Sequence, residues 1–197
     1  MGTIIPRWEW RTFGKDFGES EAKIKAHEMG DFKKSSEKYI LTVKTSSENC
    51  KIRDDLMDIK SLQAVNENNL EQWYPTLKES FPMKKETIAK LFTDFFKVDV
   101  PEFKRDEYTY DQYLEELVKP AEGLEIVDVY KERSIYVIED VIVEIAETKF
   151  NGVPDRTICA EHIDPDKVMK VVRELGLEGM PNINYIRAMK RAVGMPE

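Results

Sequence analysis

Charged side chains recur two residues apart along stretches that otherwise alternate with apolar residues. The groups are Arg7-x-Glu9-x-Arg11, Lys51-x-Arg53, Asp58-x-Lys60 and Lys131-x-Arg133. Because successive side chains of a β-strand point to opposite faces, the members of each group share one face of their strand. Clustered Lys and Arg side chains suit an anion with several negative groups, and carboxylates among them could hold a divalent cation beside it.

Two interpretations of these charged strands follow from their spacing alone. If the sheet curls into a barrel, the charges line its interior, where Glu144 and Glu161 would join them from two strands linked by the Asn151-Gly152 turn. If the sheet stays open, the same charges form the solvated face that antiparallel sheets commonly carry. The spacing does not decide between a cavity lined by charged side chains and a solvent-exposed face of the sheet.

The elements that would position these residues can be read from the hydrophobic pattern. Alternation predicts strands over Ile4–Phe13, Tyr39–Lys44, Cys50–Arg53, Leu56–Val65, 125–132, 134–138, Val141–Lys149 and Arg156–His162. Helical spacing predicts helices over 19–29, with Ser20 as N-cap, in two or three pieces over 70–96, and over 110–118, 164–175 and 184–192. Turn chemistry is expected at Ser46–Asn49, and Asn151-Gly152 is the strongest hairpin turn in the chain.

Composition excludes several classes of protein. A net charge of −8 argues against a general nucleic-acid binder, which needs a basic field. No apolar run is long enough to span a bilayer, and the chain is expected in the cytoplasm. Cys50 and Cys159 are expected to be partly buried thiols, and His27 and His162 lack the spacing of a zinc hydrolase.

The order of the charged motifs resembles the CYTH superfamily, the triphosphate tunnel metalloenzymes, over nearly the whole chain. That family's opening strand carries E-x-E-x-K, to which Arg7-Trp8-Glu9-Trp10-Arg11 is similar. Its later basic strands are similar to Lys51-Ile52-Arg53, to the strand of Lys60 and to Lys131-Glu132-Arg133. Its late acidic strands are matched by Glu144, Glu147 and Glu161, and its closing helices by the segment around Tyr185.

The resemblance implies an α+β fold in which an antiparallel β-barrel forms a tunnel with flanking helices. It implies one domain over residues 1–197 with a helical insert around 68–120. The side chains implied to bind substrate phosphates are Arg11, Lys51, Arg53, Lys60, Lys131 and Arg133. The side chains implied to hold Mg²⁺ or Mn²⁺, directly or through water, are Glu9, Glu144 and Glu161. No catalytic residue is assigned.

The chain departs from the family pattern on its acidic side. Arg7 stands where the family has its first Glu, Arg11 replaces the Lys, and Cys159-Ala160-Glu161 stands where the family has E-x-E. An arginine cannot ligate a cation, so these differences weaken the implied metal site. The basic half of the pattern is better kept than the acidic half, and this favours anion binding over hydrolysis.

Three functions stay open at this stage. The first is a metal-dependent phosphohydrolase acting on triphosphate or polyphosphate compounds, of which an adenylate cyclase is a narrower version. The second is a polyphosphate- or nucleotide-binding module that has lost part of its metal site, and the third is a structural protein with a wet-faced sheet. An RNA triphosphatase is disfavoured because an RNA end needs a basic path beyond the tunnel. No membrane partner is expected. A homodimer is left open.

Overall fold

The computed structural model describes residues 5–197, so Ile4, at the start of the first predicted strand, lies outside the described residues. The strands are β1 Trp8–Phe13, β2 Met29–Thr42, β3 Thr45–Arg53, β4 Leu56–Val65, β5 Glu71–Ser80, β6 Met83–Lys84, β7 Glu107–Tyr108, β8 Leu124–Ile138, β9 Val141–Phe150 and β10 Val153–His162. The helices are α1 Gly18–Lys25, α2 Lys85–Lys90, α3 Tyr110–Gln112, α4 Pro165–Glu174 and α5 Tyr185–Val193. Two π-helical segments, Leu91–Phe96 and Tyr113–Val118, continue α2 and α3.

Eight of these strands form one sheet whose order closes on itself. Hydrogen-bonded neighbours follow the order β1, β10, β9, β8, β2, β3, β4, β5, and β5 pairs with β1 again. The pairs with a described register are antiparallel. The α+β class and the predicted ring of antiparallel strands are therefore confirmed.

By their internal contacts the described residues form two units, each with its own core. The first unit comprises residues 5–36, 62–74 and 130–184, and the second comprises 37–61, 75–129 and 185–197. This division does not test the prediction of a single domain over the whole chain, which stays a prediction.

The core of the first unit lies between the outer face of β1, β10 and β9 and the helix α4. The helix starts as predicted, because the Asp164 side chain accepts a hydrogen bond from the Asp166 N–H and Pro165 occupies the first turn. Its apolar stripe, which includes Val168, Val171 and Val172, is buried against Trp10 and its neighbours. Burying a side chain of this size contributes roughly 1.5–3 kcal/mol.

The core of the second unit is rich in aromatic side chains. The buried face of β3 and β4 carries Cys50, Ile52, Met57 and Ile59, which pack with the helical segments 85–96 and 110–118. The aromatic members of this core are Phe92, Phe96, Tyr108 and Tyr113. The helical character predicted for 85–96 and 110–118 is confirmed.

The prediction of helices over 70–96 is wrong in its first half, because residues 71–80 form the strand β5. Trp73, Pro75 and Leu77 alternate at the period of a strand. The helical spacing of Leu70, Trp73, Tyr74 and Leu77 is present in the same stretch. Pro75 is tolerated because the described ladder with β1 covers only Glu71 and Gln72, so no N–H is needed at position 75 on that side.

Two predicted turn or cap features also need correction. The β2–β3 hairpin turns at Val43 and Lys44, since Thr42 pairs with Thr45, and the polar run Ser46–Asn49 lies inside β3. Glu48 and Asn49 take cross-strand partners in β4, so their side chains do not form a turn. Helix α1 begins at Gly18 rather than after Ser20.

The hairpin predicted at Asn151-Gly152 is confirmed. Asn151 has φ +49° and Gly152 has φ +82°, the positive values that a two-residue β-hairpin turn requires. This turn fixes the register in which Cys159 faces Glu144 and Glu161 faces Ile142.

Among residues 5–197, no helix is long and apolar enough to cross a membrane. The cytoplasmic location and the homodimer stay predictions.

Candidate functional site

The strand β1 sorts its side chains onto two faces, as its sequence predicted. Trp8 and Trp10 belong to the apolar core, whereas Glu9 and Arg11 point to the opposite face. Arg11 is nevertheless only 6% exposed, so this second face is polar but largely enclosed.

The register of the neighbouring strands brings further charges beside Glu9 and Arg11. Glu9 lies directly opposite Glu71 of β5 on one side and Glu161 of β10 on the other. Arg11 lies opposite Cys159, which in turn lies opposite Glu144 of β9. Directly opposite residues share a face of the sheet. We call the following side chains the charged face: Arg7, Glu9, Arg11, Glu71, Lys131, Arg133, Glu144 and Glu161.

Three arginines of the charged face contact its carboxylates. Arg11 donates from Nε to Glu9 Oε1 at 2.8 Å and from Nη1 to Glu144 Oε1 at 3.4 Å. Arg7 donates from Nη1 to Glu161 Oε1 at 3.1 Å, which places this arginine on the face rather than away from it. Arg133 Nη1 lies 3.7 Å from Glu144 Oε2, beyond hydrogen-bond distance.

Burial and like charge act on Glu161. Burial raises the pKa of its carboxyl above the usual value, and the neighbouring Glu9 carboxylate raises it further, against the lowering effects of Arg7 and Arg11. Beside it, burial raises the pKa of the Cys159 thiol well above its usual value. Both cysteines are free and buried, as expected.

The basic side chains of β8 complete the charged face. Arg133 is three-quarters buried, and its Nε is a buried donor without a hydrogen-bond partner in the part of the chain that the structure describes. Lys131 lies two residues before it on the same strand face and is 6% exposed. A buried donor that is left unpaired costs about 1–3 kcal/mol, so Arg133 is poised to gain an acceptor.

The sequence did not single out Glu71 or its partner Asn184. Asn184 Nδ2 lies 3.0 Å from both carboxylate oxygens of Glu71, and Trp73 Nε1 donates to Oε2 at 3.1 Å. The signal available in the sequence was weak, because 113 residues separate Glu71 from Asn184.

Three predicted phosphate-binding residues, Lys51, Arg53 and Lys60, belong to the second unit. They share one strand face, opposite the apolar core, as the spacing predicted. Lys51 Nζ lies 3.4 Å from Asp58, and Arg53 Nη1 lies 3.4 Å from the buried Glu37 carboxylate. Lys60 is exposed and lies opposite Asn49. Glu147, which the resemblance had included, lies on the opposite face to Glu144 and pairs with Arg156.

The carboxylates of the charged face do not fit a divalent cation in this arrangement. Among residues 5–197, no group of three or more His, Cys, Asp or Glu side chains is arranged to hold a metal ion. Glu9, Glu144 and Glu161 meet guanidinium groups instead. A divalent cation about 4 Å from a guanidinium is repelled by roughly 8 kcal/mol at an effective dielectric of about 20, which cancels the attraction of one carboxylate at the same distance.

Comparison with known proteins gives a likeness of fold. No protein-family model matches the chain, and no curated protein matches it. A conserved hypothetical protein from Pyrococcus furiosus superposes with a TM-score of 0.51 at 14% identity, covering 91% of this chain and 98% of that one. A protein from Hippeastrum, described as a candidate adenylyl cyclase with a dominant triphosphatase activity, superposes with a TM-score of 0.50 at 10% identity, covering 94% and 96%.

A candidate adenylate cyclase from Bacillus halodurans is also similar, with a TM-score of 0.48 at 17% identity over 91% of this chain and 95% of that one. At such identities the likeness shows the fold alone. The predicted resemblance is confirmed at the level of the fold by the Pyrococcus furiosus and Hippeastrum proteins.

Proposed function

We propose that this protein binds a triphosphate- or polyphosphate-containing small molecule on its charged face. The observation that carries the proposal is Arg133, whose buried Nε has no acceptor within the described residues and whose Nη1 stays 3.7 Å from Glu144. A phosphate oxygen would supply the missing acceptor, because guanidinium groups bind phosphate through paired N–H donors.

The ion pairs explain how acidic residues and an anion can share this face. Arg11 pairs with Glu9 and Glu144, and Arg7 pairs with Glu161, so two guanidinium charges offset part of the negative charge of these three carboxylates. Lys131 and Arg133 then contribute positive charge from the neighbouring strand β8. In the second unit Lys51, Arg53 and Lys60 share a separate strand face, and their binding of phosphate stays a prediction.

Hydrolysis of the bound compound is the second candidate function. It is favoured by the fold shared with the Hippeastrum protein, whose description names a triphosphatase activity. Phosphoryl transfer depends chiefly on positioning and on neutralising charge, which a cage of Lys and Arg can provide in part. The metal dependence that the resemblance implies belongs to this candidate.

Two assays on the full chain separate the candidates. Calorimetric titration with inorganic tripolyphosphate, diphosphate and orthophosphate should show affinity rising with the number of phosphates. Phosphate release from tripolyphosphate, ATP and thiamine triphosphate should then be measured with Mg²⁺ and with Mn²⁺. Binding without release supports the binding function, and release selects hydrolysis. Equal, weak binding of all three phosphates would refute both.

A further inference from the structure

We infer that the charged face binds its phosphate ligand without a divalent cation, because two arginines of the chain occupy the positions where a cation would sit. The inference rests on the proposed function and adds that guanidinium groups, rather than a metal ion, offset the negative charge of the carboxylates. It follows from the way in which Arg7 and Arg11 contact Glu161, Glu9 and Glu144.

Arg11 provides the first part of the argument. Its guanidinium contacts carboxylates from two strands, Glu9 of β1 at 2.8 Å and Glu144 of β9 at 3.4 Å. It also lies 3.4 Å from the Thr157 hydroxyl, and only 7% of its side chain is exposed. An arginine packed this tightly cannot swing out to admit a metal between the same two carboxylates.

Arg7 is the second arginine that takes the place of a cation. Its guanidinium contacts Glu161 at 3.1 Å, and Glu161 lies directly opposite Glu9 in the β1–β10 register. Without Arg7, two adjacent carboxylates would repel each other and attract a cation. Because its side chain is half exposed, Arg7 can be exchanged with little effect on packing.

The row that contains Arg11 provides the third part. Its members, from β1 to β9, are Arg11, Cys159 and Glu144, so a single carboxylate and a cation share it. Oxygen-binding cations such as Mg²⁺ and Mn²⁺ need several carboxylate or carbonyl oxygens around one point. This row cannot provide them, and in the adjacent row Glu71, Glu9 and Glu161 already contact Asn184, Arg11 and Arg7 respectively.

The first experiment uses Mn²⁺ alone, followed by its electron paramagnetic resonance signal during titration with protein. Wild-type protein should leave the Mn²⁺ spectrum unchanged. Arg7→Glu removes the guanidinium that contacts Glu161 and puts a further carboxylate beside it, so Mn²⁺ affinity should rise by about tenfold or more, since affinity follows the number of charged ligands. The control is Arg173→Glu, which makes the same charge change at a side chain of equal exposure, 51%, on α4.

The second experiment titrates wild-type protein with inorganic tripolyphosphate in buffer containing EDTA and in buffer containing Mg²⁺. Binding in EDTA should be at least as tight as binding in Mg²⁺, because tripolyphosphate chelates Mg²⁺ in solution and the protein would bind the metal-free ligand. Binding that is tenfold or more weaker in EDTA would overturn the inference.

The outcomes distinguish the inference from the proposed function. Stoichiometric Mn²⁺ binding by the wild type, lost in Glu161→Gln, would overturn the inference while leaving phosphate binding intact. Failure of tripolyphosphate to bind in either buffer would overturn the proposed function itself. An Arg7→Glu variant that gains no more Mn²⁺ affinity than Arg173→Glu would show that Arg7 does not take the place of a cation.

Discussion

Arg11 and Glu9 lie two residues apart on β1 and are joined by a 2.8 Å hydrogen bond on one face of the strand. The same guanidinium reaches Glu144 on β9, two strands away, across the position of Cys159. One side chain thus joins two carboxylates of the charged face that lie two strands apart. The stability of this network and its use in binding can be tested separately.

Arg11→Ala should lower the free energy of unfolding by about 3 kcal/mol, because removing one member of a buried ion pair leaves the other charges uncompensated. Urea denaturation at neutral pH measures this loss. Arg11→Lys keeps the charge but not the fork of donors, so it should recover only part of the stability. A loss below about 1 kcal/mol in Arg11→Ala would show that Glu9 and Glu144 are solvated.

Asn184→Ala should destabilise the protein by about 2 kcal/mol, since the buried Glu71 carboxylate would lose both hydrogen bonds from the amide. Adding Glu71→Gln to this variant should restore part of the loss, because a neutral amide costs less to bury than a carboxylate. Thermal unfolding of the two single variants and the double variant gives the coupling. Strictly additive effects would contradict the pairing of Glu71 with Asn184.

Glu48 should make stability depend on pH. Burial raises the pKa of its carboxyl above the usual value, so the folded state holds this proton more tightly than the unfolded state does. The folded state therefore loses stability as the pH rises from the usual Glu pKa through the raised one. Glu48→Gln should be more stable than the wild type at pH 7, and this advantage should shrink at pH 4.

Denaturation of Glu48→Gln and the wild type at both pH values checks this sign. The Gln side chain can still accept the hydrogen bond that the Ser61 hydroxyl donates to Glu48 at 2.5 Å. Glu86→Gln, at an exposed carboxyl, is the control. An advantage of Glu48→Gln that is the same at both pH values would contradict the account.

Gly152→Ala should cost about 1–2 kcal/mol, because its φ of +82° is unfavourable for a residue with a Cβ. Nothing lies within 4 Å of the added Cβ, so the cost would come from the backbone alone. Gly179→Ala is the matched control, since its Cβ also meets open space and its φ is not positive. Equal stability of the two variants would show that the hairpin turn tolerates a side chain.

Local patterns were enough to predict much of the sheet and one face of the site. The strand Leu56–Val65, the Asn151-Gly152 turn and the Asp164 cap depend on alternation and turn chemistry between neighbours in sequence. The shared face of Arg7, Glu9 and Arg11 follows from the same period of two.

Other features depend on contacts between distant parts of the chain. The strand β5 was predicted as a helix because its aromatic and aliphatic residues recur at helical spacing, and its pairing with β1 decides the outcome. Which carboxylate each arginine contacts depends on register, which brings Arg11 close to Glu144 across 133 positions in sequence. Glu9, Glu144 and Glu161, the predicted metal ligands, lie on one face of the sheet, but the arginines that pair with them could not be read from spacing.

The central claim is that a phosphate ligand binds at Arg133, and calorimetric titration of Arg133→Ala with tripolyphosphate tests it most directly. The control is Arg173→Ala, an exposed arginine of the same unit that pairs only loosely with Glu178 at 3.9 Å. Arg133→Ala should bind tripolyphosphate at least tenfold more weakly than the wild type, about 1.4 kcal/mol, whereas Arg173→Ala should match the wild type. Equal affinity in all three proteins would contradict the claim.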